Sequence, residues 1–149
     1  MKFSIEKKLE GTLARAGTIE TKNGVIQTPA FVAVGTKATV KSLTAEQIRD
    51  LKAQVVLANT YHLYLQPGPD VVAAAGGFGP FMGWSGPTMT DSGGFQAFSL
   101  GAAFGSAVSK VASADAVVED VSHTPGQLAK VTDEGVTFKS HLNGDIHLF

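Results

Sequence analysis

The densest group of chemically useful residues in the chain is Thr90-Asp91-Ser92-Gly93-Gly94-Phe95-Gln96. Asp91 offers a carboxylate that can exchange a proton with a substrate or accept from the donor edge of a nucleobase. Gly93 and Gly94 carry no side chain, so backbone N–H groups there can approach a ligand closely, and Phe95 supplies a ring on which a flat heterocycle can stack. The same residue types also build an ordinary tight turn, with Asp91 capping it and Phe95 in the core. Spacing alone leaves both readings open.

Three other clusters are weaker. Asn59-Thr60-Tyr61-His62 follows a short apolar run; Tyr61 and His62 there either line the same cleft as Asp91 or pack in the core with satisfied hydrogen bonds. Gly76-Gly77-Phe78-Gly79 suggests a phosphate-cradling loop, but the dinucleotide fingerprint counted from Gly77 needs glycine or alanine where Met82 stands, and no Walker sequence exists, so a plain loop is expected. His141 and His147 flank Asn143-Gly144. A two-residue loop at that dipeptide would set them on neighbouring rungs of opposite strands, where two imidazoles could begin a metal site. With no cysteine in the chain and only Asp145 nearby, ordinary histidines are the expectation and no metal ligand set is assigned.

The elements that position these residues can be read from hydrophobic pattern. Residues 3–28 alternate apolar and polar around Asn23-Gly24, which favours a two-residue turn and an antiparallel opening. A short apolar run, Ala30 to Val34, leads to a helix over about Ala45 to Lys52, announced by a Thr44/Gln47 capping box and a Leu43/Ile48 staple. Val55 to Ala58 is β-branched and bounded by polar residues, the mark of a buried strand, and it empties into Asn59. A helical stretch over Asp70 to Ala75 and a third strand over about Pro87 to Thr90 complete an alternating order, with polar clusters just past the strand ends. In α/β folds sites assemble there, because the loops at the carboxyl ends of parallel strands converge. Residues 102–132 are rich in Ala, Ser, Val and Gly and read as an insertion, and 133–149 as a second hairpin around Asn143-Gly144.

Composition bounds the function classes. Hydrophobic residues make up 44% and charged residues 17% of the 149, the balance of a globular chain with a core. The absence of cysteine excludes a disulfide framework and a thiolate metal site. Charge divides unevenly: residues 1–52 hold nine Lys or Arg against five acids, and residues 53–149 three against eight. The basic part suits a polyanion partner, and equally an ordinary solvated surface. The opening MKFSIEKKLE has no continuous apolar core, so no secretory signal is read. The uncharged run Val71 to Thr90 is interrupted by glycines and by Pro80 and Pro87, which would break a lipid-exposed helix. A cytoplasmic protein with no membrane partner is expected.

Four stretches in order, TPAFVAVGTKATVKSLT (28–44), ANTYHLYLQPG (58–68), FMGWSGPTMTDSGGFQAFSLG (81–101) and EGVTFKSHLNGDIH (134–147), closely resemble the first part of bacterial tRNA-guanine transglycosylases, also called queuine tRNA-ribosyltransferases. The resemblance is dense from about residue 10 to 101 and resumes at 133; residues 102–132 are longer than the connection usual in the family. It implies an α/β fold, the opening of a (β/α)8 barrel behind an N-terminal antiparallel sheet (1–28), with the first βα units over 29–101. It implies exchange of the wobble guanine of tRNA for a 7-deazaguanine, queuine or its precursor, in queuosine biosynthesis. One aspartate of the family attacks the ribose and a second moves the proton, the pair of carboxylates that a retaining displacement at an anomeric carbon requires.

Carried over motif by motif, the proton-moving aspartate falls on Asp91, and the base-stacking aromatic on Phe95. Ser92, Gly93 and Gly94 fall on the adjoining pocket wall, and Asn59 and Gln96 on positions that orient the carboxylate. The family's attacking aspartate, and the three cysteines and one histidine of its zinc site, belong to later segments, so zinc is implied for the complete enzyme and none for this chain. The implied partners are tRNA, the free base, and a second copy or a remaining barrel segment. A second reading is a non-catalytic paralogue that binds tRNA or a catalytic subunit.

From this reading, the isolated chain incubated with cognate tRNA and labelled guanine should incorporate no label above a no-enzyme control, and should purify without stoichiometric zinc. Incorporation, or one zinc per chain, would contradict it.

Overall fold

A computed structural model describes residues 1–96, 99 and 129–148. Most of the expected insertion, up to residue 128, lies outside the described residues. The chain divides into two compact units, Met1–Ser92 and Gly93–Phe149, and the described residues form a mixed α/β fold with three small sheets.

The first unit opens on β1 (Lys2–Lys8), β2 (Arg15–Thr21) and β3 (Gly24–Thr28), an antiparallel sheet in that order, as the alternation predicts. Its tight turn is displaced by one residue from the expected dipeptide. Thr21 pairs with Gly24, so Lys22-Asn23 form the loop and Gly24 begins β3. The Thr21 hydroxyl decides this: it donates to Gly24 O at 2.8 Å and accepts from Asn23 N–H at 3.2 Å. One row of this sheet is apolar across all three strands, Phe3 opposite Ile19 and Ile19 opposite Ile26, and only Ile26 is fully buried. The Gln54 amide satisfies both backbone groups of Gln27 on β3, accepting its N–H at 2.8 Å and donating to its carbonyl at 3.2 Å. A side chain thus continues a ladder that no described strand extends there.

The second sheet holds β4 (Val32–Val34), β5 (Val55–Ala58) and β6 (Thr88–Thr90), all parallel, with β5 in the middle. Two crossovers connect them. The first contains α1 (Ala45–Asp50), where the capping box forms as expected: Gln47 N–H donates to Thr44 Oγ1 at 3.2 Å and Thr44 N–H to Gln47 Oε1 at 2.9 Å. The helix ends two residues earlier than the pattern suggests, since Lys52 turns to φ 61 and cannot continue it. The second crossover contains α2 (Thr60–Leu65), α3 (Pro69–Ala74) and α4 (Phe78–Met82). Neither α2 nor α4 is expected from the sequence; residues 76–79, expected as a plain loop, lead into and begin α4.

Being central, β5 is covered on both faces: Val55, Val56 and Ala58 are wholly buried. Val56 packs with Ala33, Ile48 and Trp84, while Ala58 packs with Ala38 and Leu63. Phe78 and Met82 of α4 touch both clusters. Trp84 is anchored by its indole N–H, which donates to Pro87 O at 3.0 Å, fixing the approach to β6. Among the described residues the outer edge of β4 has no strand partner, and beside it Phe31, Val34, Val40, Leu43, Ile48 and Leu51 line an apolar groove of about 490 Å³.

The second unit contains β7 (Ala129–Thr132), β8 (Gly135–Lys139) and β9 (Ile146–Leu148), an antiparallel meander. The hairpin expected over 133–149 therefore has a third strand before it, starting at Ala129. Its loop is also longer than two residues: Lys139 pairs with Ile146, and Ser140 N–H to Asp145 O at 2.8 Å closes the segment 140–145. No described helix is long and apolar enough to cross a membrane.

Gly79 tests the packing under β6. A Cβ built there would meet Trp84 O at 2.8 Å, a backbone atom that cannot swing aside. Gly79→Ala should destabilise the fold by about 1–3 kcal/mol through overpacking, read as a lowered denaturant midpoint; an unchanged midpoint would show that the Trp84 segment yields easily.

Candidate active site

Parallel register brings the carboxyl ends of β5 and β6 together: Ala58 stands opposite Thr90, so Asn59 and Asp91 leave the sheet side by side. Asn59 Nδ2 donates to Asp91 Oδ2 at 2.6 Å, and Thr60 N–H donates to Asp91 Oδ1 at 2.8 Å. The Thr60 hydroxyl donates to the Asp91 carbonyl oxygen. All three residues are half-buried. The loop after β4 joins the same end, because Gly35 N–H donates to Leu57 O at 2.6 Å and Asn59 N–H to Thr36 O at 3.3 Å.

This local structure inverts a usual arrangement. Asparagine at a helix N-cap normally accepts from its own helix, yet Asn59, the N-cap of α2, makes no such bond and turns its amide to Asp91. The first N–H of α2 is satisfied instead by the Asp91 carboxylate arriving from β6. Two donors, one on each carboxylate oxygen, fix the plane of the group. A carboxylate held in one orientation is of the residue type that can exchange protons.

Of the residues singled out in the sequence, Asn59 and Asp91 are in direct contact. Ser92, also in the first unit, is exposed. Gly93, Gly94, Phe95 and Gln96 belong to the second unit. There Gly93 adopts φ 74, a conformation that favours glycine, and Gly94, Phe95 and Gln96 are helical. Phe95 is 77% exposed, which removes the reading of Phe95 as a core residue. Tyr61 resolves the other way: it is wholly buried, burial raises its phenol pKa, and His62 meets it edge to face at 5.3 Å. Thr60 is the site residue that sequence reasoning missed; its adjacency to Asn59 was the available signal.

The two histidines do not stand on neighbouring rungs. His147 lies on β9 opposite Phe138, the rings stacked at 5.4 Å, whereas His141 is exposed in the 140–145 loop. The long loop separates them. Among the described residues no group of three or more His, Cys, Asp or Glu could hold a metal ion.

A family model described as queuine tRNA-ribosyltransferase matches residues 10–149. The chain belongs to that family. Two curated relatives, both named queuine tRNA-ribosyltransferase, show the extent of the likeness. The one from Roseiflexus sp. (strain RS-1) is 48% identical over 147 residues, 99% of this chain and 35% of the relative. The one from Desulforudis audaxviator (strain MP104C) is 45% identical over 147 residues, 99% of this chain and 33% of the relative. The chain thus spans about a third of the length of the curated relatives it matches.

The hydrogen bonds at Asp91 make a stability prediction of their own. In Asp91→Asn one amide N–H must confront either Asn59 Nδ2 or Thr60 N–H, and the unfolding free energy of the full-length protein should fall by about 1–2 kcal/mol. Adding Asn59→Asp restores a donor for every acceptor, so the double exchange should recover most of the loss in a double-mutant cycle. Strict additivity of the two losses would show that these groups do not interact.

Proposed function

We propose that the chain forms the N-terminal portion of a tRNA-guanine transglycosylase, exchanging the anticodon wobble guanine for a 7-deazaguanine, queuine or its precursor, with Asp91 as general acid/base. The observation that carries this reading is the Asp91 carboxylate, held on both oxygens at the joined ends of two parallel strands. When guanine leaves C1′ of the ribose its ring must gain a proton, and when the incoming base attacks it must lose one. A half-buried carboxylate of fixed orientation performs both transfers. By the family resemblance, Phe95 takes the base-stacking role, Ser92, Gly93 and Gly94 the pocket-wall role, and Asn59 and Gln96 the role of orienting amides.

The carboxylate that attacks the ribose lies in the part of the enzyme beyond this chain, as retaining chemistry calls for two carboxylates with separate roles. In this reading β4, β5 and β6 are the first strands of a (β/α)8 barrel, supported by their parallel order, their helical crossovers and the outer edge of β4, which no described strand pairs. The remaining barrel covers that edge and the apolar groove beside it. The zinc implied for the complete enzyme does not fit the residues present: there is no cysteine and no described cluster of ligands. No step is assigned to it. The protein works on tRNA in the cytoplasm.

Asp91→Asn in the full-length protein should lower guanine incorporation into cognate tRNA by about 10²- to 10⁴-fold, the range for a general acid/base. Near-parental exchange would remove Asp91 from the chemistry. Phe95→Ala should weaken base affinity by roughly 1–3 kcal/mol through lost stacking while leaving tRNA affinity intact; equal affinity for the deazaguanine in parent and variant would exclude Phe95 from the base site.

A further inference from the structure

The loop from Gly35 to Ser42 joins β4 to α1 at the same end of the parallel sheet as Asp91, and its Thr36 carbonyl accepts the N–H of Asn59, the residue that holds Asp91. The loop is tightly determined. Gly35 N–H donates to Leu57 O and Ala38 N–H to Gly35 O. Ala38 takes φ 56, an uncommon conformation for a residue with a Cβ, and is buried against Ala58 and Leu63. Ser42 takes φ 64. Left-handed non-glycine residues persist only where the surroundings over-determine them. Here the buried Ala38 pins the chain at the position next to Lys37, which is exposed.

The Lys37 ammonium donates to Gln66 Oε1 at 2.8 Å, a bond spanning 29 residues that ties this loop to the end of α2. Its partner is a neutral amide. Among the described residues the one ion pair is Lys2–Glu20, far along the chain, so Lys37 is held in place without being neutralised. Any RNA strand brought to this face also approaches the Asp91 carboxylate, whose charge repels phosphate. A fixed cation on the adjoining loop offsets that repulsion.

We propose that Lys37 binds a backbone phosphodiester of the RNA substrate and so positions the target nucleotide over Asp91, an inference that rests on the reading of the chain as part of a tRNA-modifying enzyme. Lys37 is a positioning residue: it takes no part in proton transfer and carries no base preference, since phosphate contacts set register and not sequence.

The test measures tRNA affinity of the full-length protein by equilibrium binding across a salt series, for the parent and for Lys37→Ala, Lys37→Arg and Gln66→Ala. Guanine exchange is recorded on the same preparations. Lys37→Ala should weaken tRNA binding roughly threefold at moderate salt and make the slope of log K against log salt about 0.7 shallower, the single-strand value for one phosphate. Lys37→Arg should keep the parental slope. Gln66→Ala, which retains the charge, should keep the slope as well, and inorganic phosphate at matched ionic strength should not displace tRNA. A parental slope in Lys37→Ala would overturn the proposal. So would a Gln66→Ala loss equal to that of Lys37→Ala, which would make the contact structural, or displacement by inorganic phosphate, which would make the site one for a small anion. Absence of exchange by the parent would overturn the broader reading and is scored separately from the slope.

Discussion

The hydrogen bonds from Asn59 and Thr60 to the Asp91 carboxylate are the constraint on which the rest of this site depends. They join two segments 31 to 32 residues apart and hold each oxygen of the acid on a separate donor. They also start a helix. The N–H at the head of α2 would be an orphan donor in a half-buried position, and the carboxylate from the neighbouring strand satisfies it. One acidic group therefore closes the sheet end, caps the helix and stays oriented, which is why loss of its charge and loss of its shape have separable consequences.

That arrangement needs the strands to end in register, and the core enforces it. β5 is flanked on both sides and completely buried at Val55, Val56 and Ala58, so a shift of one residue would turn its buried faces over. Trp84, anchored to Pro87 by its indole N–H, sets where β6 begins, and the close approach of Gly79 to the Trp84 carbonyl sets the height of α4 beneath it. Core packing fixes the register of β5 and β6, the register brings Asn59 beside Asp91, and the pairing holds the carboxylate at the strand ends.

Much of this frame was legible in the residues. The β-branched Val55-Val56 pair marked a buried strand, and the Thr44/Gln47 spacing marked a helix start, because both signals act within a few residues. Asp91 and Asn59 were legible through motif resemblance, and the strand-end position gave the resemblance a physical reason. What escaped depended on tertiary context. The helices α2 and α4 span six and five residues, too short to form on propensity; buried Tyr61 and Leu63 support the first and close packing under Trp84 the second. Turn chemistry was located within a residue or two but not resolved: the Thr21 hydroxyl moved one turn off Asn23-Gly24, and the bond from Ser140 N–H to Asp145 O lengthened the other and took His141 off the rung beside His147. The role of Thr60 arises from strand register, which no local pattern encodes.

The central claim is that Asp91 acts through its titratable charge at that one position, beyond its part in holding the strand ends. The most direct measurement is guanine exchange by the full-length protein carrying Asn59→Asp together with Asp91→Asn, a variant that keeps the same atoms and the same hydrogen-bond complement but moves the carboxylate to the neighbouring strand. The account predicts a protein as stable as the parent to within about 1 kcal/mol whose exchange is still lower by about 10²-fold or more. Parental exchange in that double variant would contradict it, leaving Asp91 as a helix cap and nothing else.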